Sequence, residues 1–339
     1  MRGRWGQKAS GFFELDSETA LRVAYQVILA REPDDAGLAA YRARIDAGTL
    51  SYRGLCETLL ASPEFTIRWH TRIWADRRAA EGDEPVLARI HDGPSIRLAP
   101  WDLLISDVIR ATGVWEPQIT RLVRSLLQPG SLFVDVGANV GYFALLAAHL
   151  VGPAGRVVAV EPGPTNLQLL LGSVVDNGYE HLDVWPLAFS DRRAVLPLRT
   201  DDVSTNATLV PSAEAAGATW VVAVPGDELL AGLPAGVPCV LKVDVEGHEH
   251  QVLVGMQRFL ERHRPTAILE CNPKFIADAG GNADEQLAWL FATFPSVAVL
   301  EGDEIEPLGR PGDVVERWRR RNEAAGQDGV LHLDLVARW

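Results

Sequence analysis

The sequence of 339 residues predicts an α/β fold, a doubly wound and mostly parallel sheet, preceded by a small all-helical domain. Three observations predict it. From Leu98 onward, short apolar runs alternate with helical stretches, the pattern of a parallel sheet with crossover helices. One run, Phe133-Val-Asp-Val136, leads into the turn Gly137-Ala-Asn-Val-Gly141, and the next, Val157-Val-Ala-Val160, ends in Glu161. That layout is a nucleotide-binding βαβ unit. Before residue 80, apolar residues instead recur at helical spacing.

In the first segment, Ser17 is a candidate N-cap, with Leu21, Tyr25, Ile28 and Leu29 on one helical face. Arg31-Glu-Pro-Asp-Asp-Ala-Gly37 is a turn. Leu38, Tyr41 and Ile45 mark a second helix ended by Gly48, and Leu55, Leu59 and Leu60 a third. Ser62-Pro63-Glu64-Phe65 opens a fourth. The division expected is a helical domain over 1–80, a linker rich in Gly, Asp, Glu and Pro over 81–97, and the α/β domain over 98–339.

Within the α/β domain, the strand candidates are Leu132–Val136, Val157–Glu161, Leu182–Phe189, Trp220–Val224, Cys239–Val245, Ala267–Cys271, Val297–Leu300 and Leu331–Val336. Helical patterning covers Tyr142–Leu150, Thr165–Asp176, His248–His263 and Asp284–Phe294. Gly302–Gly329 reads as charged and irregular, and the run Arg317-Trp-Arg-Arg-Arg321 as a solvated face.

Composition bounds the function. A chain with 47% hydrophobic and 23% charged residues is an ordinary globular protein. Lys plus Arg number 32 against 45 Asp plus Glu, a formal charge of −13, which disfavours nucleic acid and anionic membranes as partners. No apolar run reaches the roughly 18 residues of a membrane span. Three scattered cysteines, Cys56, Cys239 and Cys271, have no zinc or disulfide spacing, and Met1-Arg-Gly-Arg-Trp5 has no signal-peptide core. The expectation is a cytoplasmic protein, with a homo-oligomer compatible with the sequence.

The glycines narrow the ligand. A dinucleotide site uses G-x-G-x-x-G so that bare backbone approaches a pyrophosphate. Here Asn139 stands at the second position, giving G-x-x-x-G. An adenosine cofactor without a pyrophosphate fits better, and S-adenosylmethionine (SAM) is the one expected. Asp135 then faces the methionine ammonium or a water, and Glu161, 20 residues after Gly141, the ribose hydroxyls. Leu241-Lys-Val-Asp244-Val-Glu246-Gly247-His248-Glu249 ends a further apolar run in charge. Ligands of open α/β sheets sit beyond the carboxyl ends of the strands, so Asp244, Glu246 and His248 converge where an acceptor would stand. A carboxylate or imidazole there orients a hydroxyl and removes its proton; equally, these residues cap the helix that follows. Glu270 and Asn272, after the next run, offer oxygen ligands for Mg2+. The expectation is nevertheless a site without metal, with Mg2+ as the disfavoured alternative.

Together, Gly113-Val-Trp115-Glu116, the run from Pro129-Gly130 through Gly141-Tyr-Phe143, Glu161-Pro162-x-Pro164-x-Asn166, Leu187-Ala188-Phe189-Ser190-Asp191, Leu241–Glu249 and Pro265-x-x-Ile268-Leu269-Glu270 resemble the FkbM family of methyltransferases. The resemblance implies a class I methyltransferase fold: Rossmann-like, seven strands, the last antiparallel. It implies SAM as donor and, as acceptors, hydroxyls of sugars, glycans, glycolipids or polyketide-type secondary metabolites. By position it implies cofactor contacts at Asp135, Gly137, Ala138, Asn139, Gly141, Glu161, Asn166, Ala188 and Ser190, and an acceptor flanked by Asp244, Glu246 and His248. The chain departs from the family at Val224-Pro-Gly-Asp227-Glu228, where a Leu-Asp pair is common. Residues 1–80 are similar to a small bacterial helical domain with an R-E-P-D-x-x-G turn and a closing S-P-E-F, often attached to enzymes of sugars and cell-surface material. N- or carboxyl-methylation and a non-catalytic scaffold are the alternatives.

Overall fold

A computed structural model of the protein describes residues 17–29, 31–50, 52–60, 62, 82–200, 205–210, 217–327 and 329–339. The chain divides into two units, Met1–Ala80 and Glu81–Trp339.

In the first unit, the helices are Ser17–Leu29, Asp35–Asp46 and Tyr52–Leu60. Leu21, Ala24, Tyr25 and Leu29 pack with Leu55 and Leu59, the helical stripes seen in the sequence. Asp34 in the Arg31–Gly37 turn caps the second helix by accepting from the Gly37 N–H at 2.8 Å. The fourth helix expected from Ser62 falls, from Pro63 onward, outside the described residues.

The second unit holds fourteen described strands in chain order: β1 (Val86–Arg89), β2 (Ser95–Leu98), β3 (Leu132–Val136), β4 (Arg156–Val160), β5 (Leu182–Trp185), β6 (Ala188–Phe189), β7 (Ala194–Thr200), β8 (Ala207–Leu209), β9 (Thr219–Val224), β10 (Cys239–Val243), β11 (Thr266–Cys271), β12 (Ser296–Glu301), β13 (Glu304–Leu308) and β14 (Leu333–Arg338). The main sheet has the order β13-β12-β14-β11-β10-β3-β4-β5. β5, β4, β3, β10 and β11 run parallel, and β14 is antiparallel to both β11 and β12. This is a Rossmann-like sheet, with the last strand inserted antiparallel as expected. β3 is buried at all five positions, which is why it reads as an unbroken apolar run around Asp135.

The structure corrects five expectations. The sheet has eight strands rather than seven, because β13 pairs antiparallel with β12 at the edge. Gly302–Gly329 is not irregular: it supplies β13 and the helix Pro311–Ala325, which buries only Val314 and Asn322 and so looks charged throughout. Residues 81–97 are not a plain linker, since β1 and β2 pair there as a hairpin around Asp92-Gly93. Two expected elements are each divided. Leu182–Phe189 forms β5 and β6, which enter different sheets. His248–His263 forms the helices Glu249–Val254 and Gln257–His263, separated at Gly255, where a Cβ would fall 1.9 Å from the Ser190 carbonyl oxygen.

A smaller sheet, β6-β9-β7-β8, extends from the segment after β5. Its β7 and β8 contribute Leu198, Arg199, Thr200 and Ala207–Leu209 to the wall of the cavity described next.

Candidate active site

A cavity of about 630 Å³ lies at the carboxyl ends of β3, β4 and β10, where the sheet order turns back on itself. Its volume falls within the ~300–1,000 Å³ range of small-molecule sites. Among the residues named from the sequence, Gly137, Ala138, Asn139, Glu161, Asn166, Ala188, Asp244, Glu246 and His248 line it. Asp135, Gly141 and Ser190 do not.

The two glycines have packing roles. At Gly137, φ is +83°, and a Cβ would sit 1.8 Å from the Asp244 carbonyl oxygen. This glycine therefore lets β3 and the end of β10 close against each other. Gly141, φ +91°, caps the helix Tyr142–Val151, and its Cα faces Leu170 of the helix Pro164–Asn177. Asn139 between them also has positive φ, which Asn tolerates better than most residues. Its Oδ1 accepts from the Val140 N–H at 2.7 Å and from Thr205 Oγ1 at 2.8 Å, so the side chain fixes the turn itself.

Glu161 ends β4 with 4% exposure. Its Oε2 accepts from the Asn139 N–H at 2.8 Å and its Oε1 from the Gly163 N–H at 2.7 Å. Burial nevertheless pushes this carboxyl up to about 7, against those two bonds. Asn166, in the first turn of the helix Pro164–Asn177, donates to Thr205 O at 2.8 Å. Ala188, Phe189 and Val160 give an apolar wall beside Glu161, a lining suited to an adenine. A buried carboxyl with lone pairs toward the cavity, an apolar wall and no pyrophosphate cradle together fit SAM.

Opposite this half stands a row of ionisable side chains that register places on one face of the sheet. Asp135 on β3 pairs with Lys242 on β10; Asp244 follows Lys242 by two. Glu270 on β11 pairs with Asp334 on β14, and His332 precedes Asp334 by two. Lys242 Nζ lies 2.7 Å from Asp244 Oδ2 and 4.9 Å from the centre of the Phe143 ring. Burial acts to raise the Asp244 carboxyl, but Lys242 and a hydrogen bond from Glu270 outweigh it and hold Asp244 below the carboxylate range. Burial and then Asp244 drive Glu270 well above its usual value. His332 Nδ1 is 3.0 Å from Glu270 Oε1, and His332 Nε2 is 3.6 Å from Asp334 Oδ1. Asp135 is buried, and burial pushes its carboxyl up to about 6 against Lys242 and the Ala144 N–H. It pairs with Lys242 across the sheet and does not line the cavity.

Glu246 adopts φ +56° in a turn held by Glu249, whose Oε1 accepts from the Val245 and Gly247 N–H groups at 3.1 Å each. Three of the five non-glycine residues at positive φ among the described residues, Glu116, Asn139 and Glu246, line the cavity. Such strain collects at functional sites. Ser190 stands behind His248, with Oγ 3.0 Å from His248 Nε2, and burial pushes that imidazole down to about 4.

Oxygens of Asp244, Glu246 and Glu270 lie within 4.8 Å of one another, the spacing of a cation site. They do not fit one well: Lys242 already neutralises Asp244, and the raised Glu270 carboxyl is a hydrogen-bond donor to it. Asn272 is spent elsewhere. It caps the helix Pro273–Asp278 by accepting from the Lys274 N–H at 3.0 Å and donates to Gly329 O at 3.2 Å.

Lys242, Glu116 and His332 gained no role from the sequence. Lys242 carried a signal, because a lysine inside an apolar strand must find a buried partner. His332, just before β14, carried none; only the antiparallel insertion of β14 brings it to Glu270.

The methyltransferase FkbM domain matches residues 135–293. The hexuronic acid methyltransferase AglP of Haloferax volcanii is 28% identical over 153 residues, 43% of this chain and 58% of that protein. The chain thus spans less than two thirds of that relative's length. Among solved structures, methyltransferase FkbM from Methylobacillus flagellatus KT gives a TM-score of 0.37 at 16% identity, covering 84% of this chain and 57% of that one. M. jannaschii TYW2 in complex with AdoMet gives 0.40 at 12% identity, covering 76% and 87%. No helix among the described residues is long and apolar enough to cross a membrane. Residues 135–293 thus match the methyltransferase FkbM domain.

Proposed function

We propose that this protein is a SAM-dependent O-methyltransferase for a hydroxyl of a sugar, a glycan, or a glycosylated or polyketide-type metabolite. The observation that carries this reading is one cavity joining two halves, the Gly137–Glu161 turn region and the Asp244–Glu270 row. When bound, SAM supplies an electrophilic methyl on a sulfonium and a neutral leaving group. The protein is left to bind, aim and manage one proton. Gly137, Ala138, Asn139, Glu161, Asn166 and Ala188 form the cofactor half. Asp244, Glu246 and His248 border the acceptor half, with Trp115 on its wall. A polyhydroxylated ring suits this half, which offers carboxylates to accept hydroxyl hydrogens and an indole face to stack on. The hexuronic acid in the name of the Haloferax relative supports a sugar acceptor.

A carboxyl acceptor is the second reading. It needs no base, and the Asp244–Lys242 pair leaves Asp244 a weak one. Incubation with SAM and a panel of D-glucose, N-acetyl-D-glucosamine and D-glucuronic acid, read by mass spectrometry before and after mild alkali, tests both. An alkali-stable gain of one CH2 supports the O-methyl ether. An alkali-labile gain supports the ester. Transfer to none of the three while SAM is bound would refute monosaccharide acceptors.

A further inference from the structure

We infer that His332 is the general base of the methyl transfer and that Glu270 positions it; this rests on the O-methyltransferase reading above. The residues selected from the sequence are poorly placed to accept a proton. Asp244 Oδ2 already receives Lys242 Nζ at 2.7 Å. His248 Nε2 is engaged by Ser190 Oγ at 3.0 Å. Glu270, 11% exposed on its side chain, directs one oxygen to His332 Nδ1 at 3.0 Å and hydrogen-bonds Asp244. His332 is the cavity-lining group in this row whose second nitrogen is not within hydrogen-bond distance of a described protein atom. Its Nε2 stands 3.6 Å from Asp334 Oδ1, and its side chain is 33% exposed.

The arrangement is that of a base with an orienting acid behind it. With a proton on Nδ1, drawn there by Glu270 Oε1 at 3.0 Å, the lone pair of neutral His332 resides on Nε2. As the acceptor oxygen forms its bond to the methyl carbon, the carbon–sulfur bond breaks and its electron pair goes to sulfur. The hydroxyl proton passes to His332 Nε2. The products are the methyl ether, S-adenosylhomocysteine and an imidazolium, which returns its proton to water. No other reactant is consumed. The imidazolium forms between Glu270 from β11 and Asp334 from its own strand. Lys242 of β10 and Asp244 just after it lie behind Glu270, and Glu116, before the helix Pro117–Leu126, is in the same electrostatic group. Asp334 is itself held by Gln118 Nε2 at 2.9 Å, so the pair of carboxyls flanking His332 is fixed from two elements.

The tautomer is the direct test, and it needs no acceptor. In long-range 1H–15N spectra of the full chain at about pH 8, above the ordinary histidine range, His332 is identified by the signal lost in His332→Gln. Wild-type His332 should carry its proton on Nδ1. Glu270→Gln, whose amide oxygen still accepts, should keep that tautomer, and Glu270→Ala should move the proton to Nε2. An Nε2–H tautomer in the wild type overturns the assignment. With whichever panel acceptor is turned over, His332→Gln should lower kcat on the order of 10²–10⁴-fold, while S-adenosylhomocysteine affinity stays within about threefold. Unchanged kcat in that variant also overturns it. Calorimetry separates the two layers. Failure of S-adenosylhomocysteine to bind the wild type refutes the methyltransferase reading, and the base assignment with it. Binding together with an Nε2–H His332 refutes the base assignment alone.

Discussion

Replacing Gly137 by Ala should damage the site more than any other single methyl group added to it. The new Cβ would lie 1.8 Å from the Asp244 carbonyl oxygen, where real Cβ contacts do not fall below 3.0 Å. Asp244 or the turn must therefore retreat by about 1.2 Å, and the obstacle is backbone rather than a side-chain tip. Three costs follow. An L-residue in the left-handed region costs about 1–2 kcal/mol. Overpacking a closed contact costs roughly 1–3 kcal/mol. The Asp244 N–H to Val136 O bond, 3.0 Å long, is stretched or lost, for about 1 kcal/mol. The sum, about 3–6 kcal/mol, is a large part of the ~5–15 kcal/mol that holds a typical domain. Gly141→Ala is the control. It shares the positive φ, but its Cβ meets only the Leu170 Cδ1 tip, at 2.3 Å, which can swing aside. That variant should lose about 1–2 kcal/mol. Urea denaturation reads stability, and S-adenosylhomocysteine titration reads the cofactor half. Equal losses in the two variants would refute a strand contact specific to Gly137.

Removing the buried cation is the next test. Lys242→Met leaves Asp244, 25% exposed on its side chain, without its 2.7 Å partner, and should cost at most about 3–5 kcal/mol in urea denaturation. Adding Asp244→Asn should recover more than half of that loss; a purely additive double variant would refute the pairing. The buried acids set the pH dependence. Burial raises Glu249 from 4.5 to about 7, so the folded state binds the extra proton and stability falls as pH rises through that window. Glu161, at about 7, Glu116, at about 8, and Asp135, at about 6, act in the same direction and together outweigh His248, which burial lowers to about 4 and which acts oppositely. The thermal midpoint should therefore be lower at pH 8 than at pH 5. Glu249→Gln keeps the Oε1 acceptor for Val245 and Gly247. It should match the wild type at pH 5 and exceed it at pH 8, and the reverse order would contradict a raised Glu249.

Much of the fold was legible because a parallel sheet buries both faces. β3 was read to the residue, since nothing around Asp135 interrupts its apolar run. The helix Pro311–Ala325 was missed for the opposite reason: with Arg317 bridged to Glu306 at 2.7 Å and only two residues buried, it shows no apolar stripe. The β1–β2 hairpin hid in a stretch whose Gly, Asp and Pro are turn formers, although Asp92-Gly93 was itself the hairpin signal. Glu161 and Asp244 line the cavity, and both were visible in the sequence because strand ends followed by acids are local features. Gly141 and Ser190 do not line the cavity; sequence gives a residue's position along a strand or turn but not the side chain that packs over it. The Glu270–His332 contact spans 62 positions and depends on the antiparallel register of β14, which no local pattern reports.

The central claim, that this cavity takes an adenosyl cofactor without a pyrophosphate, is tested most directly by calorimetric titration of the full chain. S-adenosylhomocysteine and NADH are each titrated separately. Micromolar binding of S-adenosylhomocysteine with no heat from NADH is the result predicted by Gly137, Asn139 and Glu161 as they stand around the turn. Binding of NADH, or of neither ligand, would contradict it.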